Sequence, residues 1–440
     1  METGPLILYA AFSGAVVGLL ASGFTFLLKA LSTWVGLLLG YLPPEAPGEG
    51  GLLQVFTGPS SFLLALFLPL GYALASLLGT GRSLTATILL VRRGRTLSFW
   101  EGLRQVGGGL LQLALYSPLG REGPMALLGY AVGGVLGRLF PKAGGEGLAF
   151  AGLAAGFAAA LHAPAAGALL ATEVLYQGLR LEIQALAPAL VGALSGFAIY
   201  GAFFGYEPLL TLSGGRLSWS TLPASLFLGL AAAGLGSLWL FSAQLLHPLR
   251  QLASPLKHGL LGLVVAALLF LVPEALGQGL GWVQVGLTPL MTRQALFLLL
   301  LTHLFLVALA TAVRAYGGSI TPALVLGGLL GALLARLFPP LFPYPEATAL
   351  AGMAALLAGV ARAPFAALLL AGEWGGYTVL PLAIPAVFLS YALTLVQHPE
   401  DTFLKEELEK PEASRSETPP QTPPPPSAQE GGAAPETPRG

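Results

Sequence analysis

The segment LGREGPMALLG, residues 119–129, is the part of this sequence best suited to chemistry. It sets Arg121 and Glu122 between glycines, immediately before a Gly- and Ala-rich run that predicts a helix. A helix N-terminus presents unpaired N–H groups and a partial positive charge, so it can bind an anion without a full cation. An ionised Glu122 would occupy the anion's place and leave it when protonated. Glu122 is therefore a candidate gate, with Arg121 offsetting its charge or lying at an aqueous vestibule; alternatively, the segment is a loop with a solvated ion pair.

Two further glycine-rich turns precede apolar runs in the same way. GTGRS at residues 79–83 places Thr80 between glycines, and GGSITP occupies residues 317–322. Glycine lets the backbone approach an ion closely, and two helix N-termini aimed at one point would bind an anion together. Thr80 would add a hydroxyl to such a site, or it serves only as a helix cap.

The composition indicates that these turns lie in a membrane protein. Of the 440 residues, 55% are hydrophobic and 10% are charged, whereas soluble domains carry about 25% charged residues. The net charge is zero, so nothing suggests a nucleic-acid partner. Cysteine is absent and the five histidines are scattered, so we predict no metal site and no cofactor. We expect a multi-pass integral protein of the cell membrane.

Helices are the elements that would position the turns. Apolar stretches long enough to span a bilayer lie at residues 9–39, 52–78, 219–246, 259–283 and 294–313. Shorter stretches broken by glycine or proline predict helices that stop at mid-depth. The expected fold is an all-α membrane domain over residues 1–398, with repeat halves at about 50–205 and 219–398. The polar, Pro-rich residues 399–440 are predicted to be a disordered C-terminal tail.

An internal repeat is the strongest feature of the sequence. Residues 151–173 and 351–373 match at a constant offset of 200, with 12 of 23 positions identical. Just upstream, a second pair of matched segments ends in RLFP in both halves. Both segments of the first pair end in glutamate, and we interpret Glu173 and Glu373 as structural residues that cap or pair. Two similar halves predict an inverted repeat with its substrate site at the repeat interface.

At these residues the sequence resembles the CLC chloride channel and transporter family. GREGP is that family's most specific motif, GTGRS stands where the family has G-S-G-I-P, and GGSITP where it has G-x-F-x-P. The resemblance covers roughly residues 5–405 and implies a homodimer with one anion pore in each subunit. It makes Glu122 the gating glutamate, places Thr80 at the central anion-site serine and makes Ser319 and Ile320 backbone donors.

Departures from the family pattern bear on the transported ion. Thr80 replaces serine and Ile320 replaces phenylalanine, while Phe403 is the nearest candidate for the pore tyrosine. Val174 stands where chloride/proton exchangers carry an inner glutamate, which the channels of the family and its fluoride-exporting members both lack. These residues favour a fluoride-type anion site. The resulting anion-binding prediction comprises Gly79, Thr80, Gly81, Arg121, Glu122, Gly123, Ser319, Ile320, Thr321 and Phe403.

The leading hypothesis is therefore transmembrane halide transport, coupled to counter-movement of protons through Glu122. Its partners would be chloride or fluoride, protons, the lipid bilayer and a second copy of the chain. Three alternatives stay open at this point: a passive chloride channel, a broken-helix secondary transporter for another small anion, and a membrane-embedded enzyme. The last has little to work with, because the chain has no cysteine and a single aspartate, Asp401 in the tail.

Overall fold

The computed structural model describes residues 3–50, 55–57, 65–79, 84, 87, 98–141, 145–173, 179, 181–213, 215 and 221–394. All of them lie in one compact unit, Met1–Glu400. Thr80, Gly81, Val174 and Phe403 lie outside the described residues, as do residues 399–440, so what the sequence predicts for them remains a prediction.

The described residues fold almost entirely into α-helices, which confirms the expected all-α class. The helices of the first half are α1 (Thr3–Leu39), α2 (Phe67–Ala75), α3 (Phe99–Ala114), α4 (Glu122–Leu139), α5 (Gly145–Leu161), α6 (Pro164–Glu173) and α7 (Ile183–Phe204). Those of the second half are α8 (Leu222–Leu245), α9 (Ser254–Leu271), α10 (Leu280–Gly286), α11 (Arg293–Ala312), α12 (Ile320–Leu337), α13 (Pro345–Ala361), α14 (Pro364–Gly375) and α15 (Leu380–Leu393). The remaining elements are 3-10 turns at Pro47–Glu49, His247–Gln251, Pro273–Ala275 and Tyr377–Val379, and the antiparallel strands β1 (Tyr41–Leu42) and β2 (Val55–Phe56).

Within the described part of the chain, six helices are long and apolar enough to cross a membrane: α1, α7, α8, α9, α11 and α12. Over its most apolar window, α12 is 89% buried within the protein, whereas α9 is 33% buried. The helix α12 therefore lies inside the bundle, whereas α9 exposes much of its apolar surface on the outside of the bundle. This pattern agrees with the expected multi-pass membrane protein.

Two of the predicted spans are wrong as continuous helices. In the stretch 52–78, Val55 and Phe56 form strand β2 and α2 begins only at Phe67. The stretch 259–283 breaks at Pro273, just after α9 ends, because proline cannot donate the N–H that a helix interior needs. In both stretches the sequence is largely apolar, so hydrophobicity alone did not show that each contains two different elements.

The repeat detected in the sequence appears as two matched sets of helices. Helices α4 and α12 have 18 residues each, and α5 and α13 have 17 each. Helix α4 crosses α5 where Gly129 meets the backbone of Gly152, and α12 crosses α13 where Gly327 meets the backbone of Gly352. A Cβ at Gly129 or Gly327 would collide with the facing carbonyl oxygen, so small residues permit this close helix packing.

Left-handed backbone conformations recur at matched positions. Among the described non-glycine residues they form two repeat-related pairs, Tyr116 with Arg314 (φ of 65° and 58°) and His162 with Arg362 (50° and 58°). Tyr116 follows the end of α3 by two residues, and Arg314 follows the end of α11 by two. The left-handed residue ends each helix and redirects the chain into the next turn.

Two glutamates, one in each half, cap the N-terminus of a helix in the other half. The carboxylate of Glu373, in α14, accepts hydrogen bonds from the N–H groups of Ala165 (2.9 Å) and Ala166 (2.8 Å) at the N-terminus of α6. The carboxylate of Glu173, in α6, accepts from Phe365 (3.1 Å) and Ala366 (2.8 Å) at the N-terminus of α14. Each helix thus places its C-terminal end against the N-terminus of the other, so α6 and α14 run antiparallel, as an inverted repeat requires. The capping interpretation of both glutamates is confirmed.

Candidate functional site

The turns that precede α4 and α12 are joined backbone to backbone. Gly120 donates its N–H to the carbonyl of Gly318 at 2.9 Å, and Gly318 donates to the carbonyl of Gly120 at 2.7 Å. This two-residue bridge brings together the N-termini of two repeat-related helices. The predicted convergence of GREGP and GGSITP is therefore present.

Glu122 begins α4, and its side chain crosses to the N-terminus of α12. Its Oε1 accepts hydrogen bonds from the N–H groups of Ile320 (2.8 Å) and Thr321 (2.9 Å). Its Oε2 accepts a hydrogen bond from the Thr321 hydroxyl at 2.7 Å. Glu122 is 1% exposed, so these donors supply the hydrogen bonds that water would otherwise provide. The carboxylate lies as an anion lies at a helix N-terminus.

Glycine is required on both sides of this contact. A Cβ at Gly123 would lie 2.7 Å from the nitrogen of Gly318 and 2.9 Å from the carbonyl carbon of Gly317. A Cβ at Gly318 would collide with the Glu122 carboxylate. The side chain of Glu122 can reach α12 only because the turns carry no side chains of their own at these positions.

Arg121 has partners other than the neighbouring glutamate. Its guanidinium forms an ion pair with Glu49, in the first 3-10 turn, and donates from Nε and Nη2 to the carbonyl of Ala160 at 3.3 and 3.0 Å. Arg121 is 4% exposed. This burial contradicts the expectation that Arg121 lies at an aqueous vestibule, whereas the expectation that it offsets the charge of Glu122 stays a prediction. Arg121 instead anchors the GREGP turn to α5 and to the segment that follows α1.

The remaining predicted residues lie at the same junction where they are described. Ser319 directly precedes α12, and Ile320 is its first residue. Gly79, the first residue of GTGRS, faces the ring of Tyr316, whose Cζ would lie 2.7 Å from a Cβ at Gly79. Tyr316 also donates its hydroxyl to the carbonyl of Ser76 at 3.1 Å. Of the GTGRS segment, the structure describes Gly79 alone, and Gly79 contacts the turn that leads to α12 through Tyr316.

Two interactions at this site could not be predicted from the motifs: the ion pair of Arg121 with Glu49 and the hydroxyl bond of Thr321. Glu49 lies more than 70 residues before Arg121 in a Pro- and Gly-rich stretch, and nothing local indicates its partner. Thr321 is in the predicted anion-binding set, but no hydroxyl bond was predicted for it, and the structure shows its hydroxyl donating to Glu122. A threonine just inside a glycine-led helix start is the one sequence signal that could have indicated it.

An inverted repeat whose interrupted helices direct their N-termini at one buried carboxylate is the architecture of a membrane protein that handles small anions. The family model for the voltage-gated chloride channel matches residues 86–395. The chain is 31% identical over 392 residues to a ClcB-like chloride channel protein of Ralstonia nicotianae, covering 85% of each chain. It is also 29% identical over 349 residues to the H⁺/Cl⁻ exchange transporter ClcA of Vibrio cholerae, covering 74% of this chain and 72% of that one. This chain belongs to the voltage-gated chloride channel family, the CLC family.

Solved structures share the fold. A slow cyanobacterial Cl⁻/H⁺ antiporter superposes with a TM-score of 0.79 at 23% identity, covering 92% of this chain and 98% of that one. A CLC-type fluoride/proton antiporter superposes with a TM-score of 0.70 at 22% identity, covering 90% of this chain and 98% of that one. These similarities confirm the predicted CLC-type membrane fold.

Proposed function

We propose that this chain moves halide anions across the membrane in exchange for protons, with Glu122 as the gate. The observation that carries the proposal is the position of the Glu122 carboxylate, held by two N–H groups and one hydroxyl at the start of α12. A group that occupies an anion site as an anion competes with the transported ion. Protonation removes its charge and frees the site, so anion and proton movements are linked.

We propose further that fluoride is carried at least as well as chloride. Fluoride is small, strongly hydrated and a strong hydrogen-bond acceptor, so a site must replace its lost water with good donors. The Thr321 hydroxyl adds a side-chain donor to the two backbone N–H groups at this helix start. Val174, in place of an inner glutamate, and Thr80, in place of serine, point the same way.

The proposal also includes the assembly and the remaining site residues. We expect a homodimer with one pore in each subunit, as the family resemblance implies, and a membrane domain over residues 1–398. Thr80 and Phe403 complete the proposed anion path. Neither an enzymatic activity nor a cofactor forms part of the proposed function.

Reconstitution into liposomes tests the function directly. Vesicles loaded with fluoride or chloride are diluted into halide-free buffer, and anion efflux is recorded together with external pH. We expect fluoride efflux at a rate at least comparable to that of chloride, with opposing proton uptake. Chloride efflux without detectable fluoride flux would reject the fluoride assignment, and halide flux without proton movement would favour a passive channel.

Glu122→Gln in the same vesicles tests the gate. The amide mimics the protonated side chain permanently, so we expect proton movement to be abolished. A chloride-type pore should keep a passive anion flux, whereas a fluoride-type exchanger should stop turning over. Glu207→Gln is the matched control, because Glu207 is an exposed carboxylate. If Glu122→Gln keeps wild-type proton coupling, Glu122 is not the gate.

A further inference from the structure

A buried cluster of three side chains lies behind the turn that holds Glu122. It consists of Gln112 on α3, His258 on α9 and Tyr316 in the turn before α12. Gln112 and His258 are fully buried, and Tyr316 is 4% exposed. The proposed transport step uses none of these groups directly, yet burying polar groups is unfavourable unless they are hydrogen-bonded.

Gln112 forms hydrogen bonds with both the turn that leads to Glu122 and the turn that leads to Ile320. Its backbone carbonyl accepts the N–H of Ser117 at 3.0 Å, in the turn that leads to Glu122. Its side-chain Oε1 accepts the N–H of Tyr316 at 2.8 Å, in the turn that leads to Ile320. One residue at the end of α3 therefore sets the separation of two segments that lie about 200 positions apart in the chain.

The backbone contact fixes the orientation of the Gln112 amide, and that orientation fixes His258. Because Oε1 must accept from Tyr316, the NH₂ group points to Nδ1 of His258 at 2.6 Å. Nδ1 is then the acceptor, and the imidazole carries its proton on Nε2. Nε2 has no hydrogen-bond partner among the described residues. A proton on Nδ1 would oppose the amide NH₂, so the cluster accepts only one tautomer of the histidine.

Tyr316 contacts both His258 and Gly79, the first residue of GTGRS. Its ring packs on His258 with centroids 5.1 Å apart. The same ring covers Gly79, and the hydroxyl donates to Ser76. The N–H groups of Ile320 and Thr321, which hold Glu122, follow Tyr316 by four and five residues.

We propose that Gln112 and His258 are positioning residues for transport, acting through Tyr316 on the turn whose N–H groups hold Glu122 or the anion. This inference rests on the proposed function for its effect on transport, but not for its effect on the turn. Removing the amide frees the Tyr316 N–H and loosens the turn. Anion binding at the start of α12 then weakens while α12 itself stays folded.

The test combines amide hydrogen exchange with anion efflux on the purified full chain. The variants are Gln112→Leu, His258→Leu and His258→Asn, whose amide oxygen can replace Nδ1 as the acceptor. Gln105→Leu is the control, a half-buried glutamine two turns earlier on the same helix. We expect Gln112→Leu and His258→Leu to speed exchange of the peptide containing residues 316–321 by about tenfold or more. His258→Asn and Gln105→Leu should exchange like the wild type.

In liposomes, Gln112→Leu and His258→Leu should raise the apparent KM for the halide, and His258→Asn should restore it. Unchanged exchange at residues 316–321 would overturn the proposal, as would faster exchange spread over the whole chain. A loosened turn with a wild-type KM would also overturn it. Should Gln112→Leu fail to fold, the two His258 variants decide. If the wild type carries no halide, the proposed function fails separately, because the exchange measurement does not depend on transport.

Discussion

Replacing Glu122 with glutamine should tighten halide binding at the start of α12. In the structure the carboxylate fills that position, so a bound halide must displace it. The three donors that hold it are the N–H groups of Ile320 and Thr321 and the Thr321 hydroxyl. Glutamine has nearly the same shape but no charge, and its NH₂ group cannot accept from these donors.

The magnitude follows from the loss of charge. A hydrogen bond to a charged group contributes about 1.5–3 kcal/mol, and one between neutral groups about 0.5–1.5 kcal/mol. Three donors therefore hold the glutamine less strongly by about 3 kcal/mol in total. Because Glu122 is 1% exposed, solvent does not screen this difference. An internal competitor weakened by about 3 kcal/mol raises the apparent halide affinity by up to roughly 100-fold.

Titration calorimetry of the purified protein with fluoride and with chloride measures this effect. The wild type and Glu122→Gln are compared at two pH values, with Glu207→Gln as the control. Wild-type affinity should rise as the pH falls, because protonation removes the competing charge, and Glu122→Gln should show no such dependence. An affinity that is unchanged in Glu122→Gln, or that keeps its wild-type pH dependence, would refute the competition argument.

Three other substitutions test separate parts of the structure. Made in the Glu122→Gln background, where no carboxylate competes, Thr321→Val removes the hydroxyl donor and should weaken fluoride binding more than chloride binding, by about tenfold for one charge-assisted hydrogen bond. Thr321→Ser and the control Thr348→Val should there bind like the Glu122→Gln parent. Gly123→Ala should abolish halide flux because its Cβ would lie 2.7 Å from the nitrogen of Gly318, whereas Gly134→Ala, with open space on the same helix, should leave flux unchanged. Glu373→Gln should lower the melting temperature in detergent by weakening the two bonds to the N-terminus of α6, a cost of about 1–3 kcal/mol; the control Glu346→Gln, whose bond to Ser213 is exposed, should melt near the wild type.

The repeat and the helix start at GREGP could be predicted from the sequence because both are local patterns. The offset of 200 between matched segments reappears in α5 and α13, and GREGP correctly indicates a helix start at Glu122. Hydrophobic runs predicted the spanning helices less well, since strand β2 and α2 lie in one apolar stretch. Local hydrophobicity does not show where the backbone changes from strand to helix.

The partners of buried polar groups could not be predicted, because the fold alone decides them. Gln112 is the one polar residue in the otherwise apolar run 106–115 at the end of α3, which indicates that it needs a partner inside the bundle. That the partners are His258 and Tyr316 depends on how α9 and the turn before α12 pack against α3. The ion pair of Arg121 with Glu49 depends likewise on the path of the chain after α1.

The two pairs of repeat-related helix N-termini differ in the carboxylates that they carry. At α6 and α14 each half supplies a glutamate, so both N-termini are capped in exchange and the arrangement is symmetric. At α4 and α12 the residue equivalent to Glu122 is Ile320, which has no carboxylate. Among the described residues, only the carboxylate of Glu122 lies between these two N-termini. Under the proposed gate, the kind of interaction that holds α6 to α14 would here be a contact that a halide can replace. The proposed gate thus lies where the sequence departs from the symmetry of the fold. A second carboxylate introduced by Ile320→Glu should block halide flux by repelling both the anion and Glu122.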